Sequence, residues 1–249
     1  MAATLEVGAI LFVATLVRSA LGFGEALVAV PLLALVMPIT TAAPIAALVS
    51  ITVAAVVIVQ DWRHVQWRSA AHLVLATLAG IPLGLLLLTR VPEPVVKGIL
   101  AVVIAAFSIQ RLRGTIAWHV VGDRAAWVFG LAAGVLGGAY GMNGPPLAFY
   151  GTARRWSPSQ FRATLQGYFL PASAAGMVGY WWIGLWTRSV TRFYLASLPI
   201  VVAAIALGGV VNKRMSAERF TAIVYMSLLG IAAILLIQSL RSIFPLTIL

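Results

Sequence analysis

The chain has 249 residues, of which 62% are hydrophobic and 9% charged, with a formal net charge of +11 and no cysteine; its mean hydropathy is +1.03. A water-soluble domain of this length needs far more polar surface, so the composition excludes one and makes lipid the solvent for most of the chain. The missing cysteine excludes disulfides and thiolate metal or redox centres, and the basic excess reads as loop charge that orients helices, with no nucleic acid as partner.

In chain order, the first apolar segment follows Glu6 with no lysine or arginine ahead of it, unlike a cleaved signal peptide. Val7–Ala20 reaches about two thirds of the way across a hydrocarbon core about 30 Å thick, at about 1.5 Å per residue. It stops at "LGFGE" (Leu21–Glu25), and a second short segment, Glu25–Met37, follows. Ile39–Gln60, Ser69–Thr89 and Pro94–Gln110 are each long enough to cross. The pattern then recurs. Ala125–Tyr140 is short, "GMNGPP" (Gly141–Pro146) interrupts, Leu147–Trp156 is short, and Gln160–Ile183, Val190–Val211 and Ala217–Ser239 complete six full-length stretches.

A displacement of 119 (141 − 22) lays "GFGEALVAVP" (Gly22–Pro31) over "GMNGPPLAFY" (Gly141–Tyr150). The expected fold is therefore all-α: a polytopic helical membrane protein of two inverted repeats, each with one broken, re-entrant hairpin and three transmembrane helices. One membrane transport domain spans 1–249, with repeats over about 5–113 and 124–240.

Loop charge decides between a crossing and a re-entrant turn. If each broken segment crosses once, lysines and arginines divide evenly between the faces. If each turns back, eleven (Arg63, Arg68, Arg111, Arg113, Arg124, Arg154, Arg155, Arg162, Lys213, Arg214, Arg219) share one face. Five (Arg90, Lys97, Arg188, Arg192, Arg241) share the other. The second division has the asymmetry of a cytoplasmic face, and it places both termini on the non-cytoplasmic side.

Inverted repeats with interrupted helices are the pattern of a secondary transporter whose site lies near the midplane. Gly22 and Gly24 allow the backbone to leave helical geometry. The N–H groups at the next helix start must then find partners in hydrocarbon, and an anion suits them because the helix start carries about half a positive charge. In the second break, Asn143 and Gly144 are expected to supply the turn, and Pro145 and Pro146 suit the first turn of a new helix. Gly141, Asn143 and Gly144 thus join Gly22 and Gly24 as candidate substrate-binding positions. Packing notches for neighbouring helices are the competing reading of these glycines.

Arg18 lies about one turn before the first break, too deep to reach a surface readily, and such a residue is a functional candidate by default. It either contacts substrate, its planar fork suiting paired oxygens, or only pairs with Glu25 to pin the hairpin. Glu25 either caps the helix start, neutralises Arg18 when the site is empty, or carries a coupled proton. Gln166, in "RATLQGYF", and Ser50, in "AALVSITV", are polar positions able to line a cavity. Arg162 reads as a boundary charge, His72 as interfacial, and "YWWIGLW" (Tyr180–Trp186) as an aromatic belt at headgroup level. No metal constellation, cofactor motif or nucleophile–base pair is visible, so no cofactor and no catalytic residue is expected.

The glycine-broken first segment leading into "ALVAVPLLALVMP" (Ala26–Pro38), its echo "GMNGPPLAFY" and the element "LGLLLLTRVPE" (Leu83–Glu93) resemble the TauE/SafE family of sulfite and organosulfonate exporters. The resemblance covers nearly the whole chain. It implies export of a small sulfur oxyanion or organosulfonate by membrane helices alone, in the bacterial inner membrane. The first break departs from the family pattern, with Gly24, Glu25 and Ala26 where a run of glycines is typical. An anion channel of the same architecture, or a transporter for another small carboxylate or oxyanion, is the alternative; a membrane-embedded enzyme lacks a convergent set of acids and bases. The partners expected are a small anion and the bilayer, with homo-oligomerisation left open.

Overall fold

The computed structural model describes residues 2–114, 122–214 and 217–244. Ten α-helices make up the described chain: α1 (Ala2–Leu21), α2 (Glu25–Val36), α3 (Ile39–Asp61), α4 (Trp67–Arg90), α5 (Glu93–Arg113), α6 (Ala125–Tyr140), α7 (Gly144–Ala153), α8 (Pro158–Trp182), α9 (Arg188–Arg214) and α10 (Ala217–Ile243). A short 3-10 turn, Trp62–His64, joins α3 to α4, and no strand occurs among the described residues.

Among the described residues, five helices, α3, α4, α5, α9 and α10, are long and apolar enough to cross a membrane. Six stretches were expected. The exception is α8, whose 25 residues suffice in length but include Thr164, Gln166 and Ser173 on a buried face. It starts sharply, because Ser157 and Gln160 form a reciprocal capping box around Pro158. The first arm also differs from expectation. Helix α1 begins at Ala2 and has 20 residues, about 30 Å, because Ala2–Glu6 continues the helix.

The pairings repeat when the two halves are exchanged: α1 lies along α9 as α6 lies along α4, while α3 meets α8 and α5 meets α10. Two thirds (67%) of the apolar window of α3 is buried, against 22–39% in the other four spans. So α3 and the largely buried face of α8 form the centre, and the outer helices turn apolar faces outward, where lipid covers them without cost.

Helices α4 and α6 approach until their backbones touch. A methyl group at Gly84 would lie 2.1 Å from the Val135 carbonyl oxygen, and one at Gly134 would lie 2.4 Å from that of Thr77. The spacings "GIPLG" (Gly80–Gly84) and Gly130, Gly134, Gly138 place these residues on facing stripes, the arrangement that permits close dispersion contact in lipid. The counterpart pair α1–α9 meets through side chains, with Gly8 facing Ile200.

Asp123 ties the start of α6 to its neighbours at one end of the molecule. It accepts hydrogen bonds from Ser69 at 2.7 Å and Tyr150 at 3.2 Å, and faces Arg154 at 3.4 Å and Arg68 at 3.6 Å. Arg154 also donates to the Gly122 carbonyl at 2.9 Å. The base of the α6–α7 pair is thereby closed, with both of its outer ends together. The Ser69 hydroxyl, helped by Arg154, Tyr150 and Arg68 and opposed by partial burial, holds the Asp123 carboxyl below its ordinary value.

Two outcomes follow for stability in detergent. Gly134→Ala should lower it by about 1–3 kcal/mol through overpacking, whereas Gly176→Ala, with nothing within 4 Å of its added methyl, should be neutral or slightly stabilising; thermal unfolding of the two variants checks this. Because the carboxylate form of Asp123 is favoured in the folded chain, its contribution is complete above the ordinary carboxylate range and lost as pH falls below it. Asp123→Asn should therefore lower the unfolding temperature at neutral pH, and the difference should close only below about pH 4.

Candidate functional site

Both helix breaks use the same backbone joint. Gly22 has φ 82° and donates to the Arg18 carbonyl at 2.7 Å; Gly141 has φ 65° and donates to the Gly137 carbonyl at 2.8 Å. Positive φ at these two positions selects glycine, which ends a helix in the left-handed region without a Cβ clash. The donor pair and the acceptor pair are each 119 residues apart (141 − 22, 137 − 18). The turn in the second break is made by Gly141 alone. Asn143, expected to help supply it, has ordinary helical geometry and folds its side chain back beside Gly137.

The two breaks meet. Gly24 and Glu25 at the start of α2, and Gly141, Asn143 and Gly144 at the start of α7, line one cavity with Arg18, Ser50 and Phe169. Its volume is about 10 Å³, room for about one water molecule. Tip positions explain the encounter: the α1–α2 tip lies against the start of α8, where Phe23 meets Phe161, and the α6–α7 tip lies against early α3, where Gly141 meets the Ala43 carbonyl.

Arg18 is 3% exposed. One terminal nitrogen donates to Glu25 Oε2 at 2.6 Å and to Ser50 Oγ at 2.9 Å; the other donates to Gln166 Oε1 at 2.6 Å. The guanidinium carbon also lies 4.9 Å from the centre of the Phe169 ring, within range of a cation–π attraction. Gln166 Nε2 in turn donates to the Gly22 carbonyl at 2.8 Å, so the amide bridges the arginine and the tip. Two donor–acceptor capacities stay unused: Arg18 Nε and Glu25 Oε1 are buried without a hydrogen-bond partner. An ion pair this deep loses several kcal/mol of hydration per ion, and only close geometry and further hydrogen bonds offset that loss.

The second tip is held by hydroxyl groups. Asn143 donates to the Tyr168 hydroxyl at 3.3 Å, which meets Thr77 at 2.6 Å, and Thr77 donates to the Gly130 carbonyl at 2.9 Å. Tyr180 donates to the Gly137 carbonyl and Tyr140 to that of Val96. Tyr180, expected in the aromatic belt, is thus fully buried. Trp181, Trp182 and Trp186 are exposed, as headgroup-level rings are.

On the other side of Arg18 lies a larger cavity of about 250 Å³, bounded by Arg18, Ser19, Gly22, Arg162 and Gln166, and by apolar residues of α3 and α9. Arg162, read from the sequence as a boundary charge, lines this space, and its Cγ lies 3.4 Å from the position of a methyl on Gly22. The structure therefore gathers Arg18, Gly24, Glu25, Gly141, Asn143 and Gly144 around the tip cavity and places Gly22 and Gln166 on its far side. Sequence reasoning missed Phe169, Tyr168, Thr77 and Ser173. For α8 the signal existed: Gln166, Phe169 and Ser173 recur at helical spacing on one face. No group of three or more histidine, aspartate or glutamate side chains able to hold a metal ion occurs among the described residues.

Comparison with known proteins gives a consistent result. The model of the family described as sulfite exporter TauE/SafE matches residues 7–235, nearly the whole chain. A protein of Cupriavidus necator described as a probable sulfite/organosulfonate exporter TauE is 24% identical over 219 residues, 82% of each chain. No solved structure matches.

Removing one member of the Arg18–Glu25 pair should cost more than removing both. Arg18→Ala should destabilise by about 3–5 kcal/mol by leaving a buried carboxylate, whereas the double change Arg18→Met, Glu25→Leu should recover most of that loss. Unfolding temperatures in detergent for the single and double variants provide the check.

Proposed function

The chain belongs to the sulfite exporter TauE/SafE family, and on that premise we propose that it exports a small sulfur oxyanion or organosulfonate by alternating access, binding the anion between the starts of α2 and α7. The observation that carries this reading is Arg18. It is a buried guanidinium at the point where the starts of α2 and α7 line one cavity, and both its planar fork and the positive end of the α2 helix suit an anion with several oxygens.

In this reading the halves are inverted repeats whose hairpins dip in from opposite faces. The contacts support it: Arg154 joins Gly122 and Asp123 at the base of the α6–α7 pair, and the α1–α2 tip lies at that same end, beside Phe161 and Arg162. The end bearing Asp123 is the cytoplasmic face of a multi-pass inner-membrane protein, and the N-terminus lies on the other side, in keeping with the loop charge. A tip cavity with room for about one water molecule favours a transporter over a channel, since a channel requires a continuous path.

Glu25 takes the place of the substrate. Its carboxylate occupies the oxygens' position on Arg18, so an arriving anion must displace it or act on its protonated form. An anion beside Glu25 favours proton uptake by like-charge repulsion, which couples export to protons.

Proteoliposomes loaded with sulfite test the proposal. Arg18→Lys should reduce efflux by at least about tenfold while the protein stays folded, because an ammonium does not replace a planar fork; unchanged efflux would remove Arg18 from the mechanism. Glu25→Gln should retain sulfite–sulfite exchange and lose accumulation driven by a pH gradient. If that accumulation persists, Glu25 is not the proton carrier.

A further inference from the structure

Resting on that reading, we propose that the 250 Å³ cavity beside Arg18 is an antechamber that gathers the anion before it reaches the helix tips, with Arg162 as its capture residue. The space lies between α1, α3, α8 and α9 and shares Arg18 with the tip cavity. Among the described residues that line it, the charged ones are Arg18 and Arg162; Glu25 contributes to the tip cavity beyond. A concave, low-dielectric space lined by cationic groups concentrates anions.

Two unused hydrogen-bond groups belong to the same wall. Arg18 is 3% exposed and its Nε is buried without a partner, as is Ser19 Oγ. Arg18 thus belongs to both cavities: its terminal nitrogens are committed to Glu25, Ser50 and Gln166, while Nε retains an unused donor. Arg162 sits in the first turns of α8, at the end of that helix where Gln66 meets Thr164, so it meets an arriving anion before Arg18 does.

The absence of native cysteine permits a direct test. Ser19→Cys, and separately Ala206→Cys as a second reporter should the first fail to fold, each give one thiol on the antechamber wall. In reconstituted vesicles, its reaction rates with sulfonatoethyl and trimethylammonioethyl methanethiosulfonate are compared, each relative to the same thiol in the unfolded chain. The anionic reagent should be favoured on the order of tenfold; Arg162→Gln should remove most of that preference and Arg162→Lys should keep it. In efflux measurements, Arg162→Gln should raise KM for sulfite with kcat little changed, whereas a residue that merely supports the fold would lower kcat as well. Thiols that react from neither face, or a preference indifferent to Arg162, would overturn the antechamber. Efflux that survives Arg18→Lys while the preference persists would instead overturn the transport reading alone.

Discussion

The guanidinium of Arg18 sets the terms for the interior. A fixed positive charge in a medium that solvates it poorly is costly unless every neighbour helps, and here the neighbours come from three helices, α2, α3 and α8. Glu25 brings charge, Ser50 and Gln166 bring oxygen, and Phe169 brings a ring face. Gln166 then passes the constraint to the backbone by donating to the Gly22 carbonyl. The tip of the first hairpin is thus fastened to the central helices through the side chain that a bound anion would have to address.

A repeated frame carries unequal contents. The glycine joints at 22 and 141 match in conformation and in hydrogen bond, yet the position matching Arg18 is Gly137, whose missing side chain makes room for Asn143. Ser50 and Phe169 are also matched by the same displacement (169 − 50 = 119), and both touch Arg18. One half supplies an ion pair and the other a neutral amide held by tyrosines. The packing is unequal too: α6 is set against α4 backbone to backbone, while α1 meets α9 through side chains. The two hairpins thus differ in how closely their first helices approach a neighbour.

Much of this was legible in the sequence because hydrocarbon punishes exceptions. An arginine, a glutamate and paired glycines inside apolar runs stand out, and Arg18, Glu25 and Gln166 do lie in one cluster. Local conformation was less legible. Asn143 takes ordinary helical geometry because Gly141 already makes the turn, and α1 begins five residues before its apolar core because Ala2–Glu6 has no reason to stop it. Helix α8 is long enough to cross but less apolar than the five other spans, because Thr164, Gln166 and Ser173 lie on its buried face. Tyr180 sat within an interfacial-looking aromatic run, and only three-dimensional packing separates it from the exposed tryptophans. The facing glycine stripes of α4 and α6 were present as spacing, but spacing alone does not name a partner helix.

The central claim is that an anion binds where the two interrupted helices converge on Arg18. The most direct measurement is the anomalous scattering of crystals soaked in 2-bromoethanesulfonate. The account predicts a bromine peak beside Arg18, between the starts of α2 and α7 or in the adjoining antechamber. A peak confined to the outer surface, with the Arg18–Glu25 pair undisturbed at saturating ligand, would contradict it.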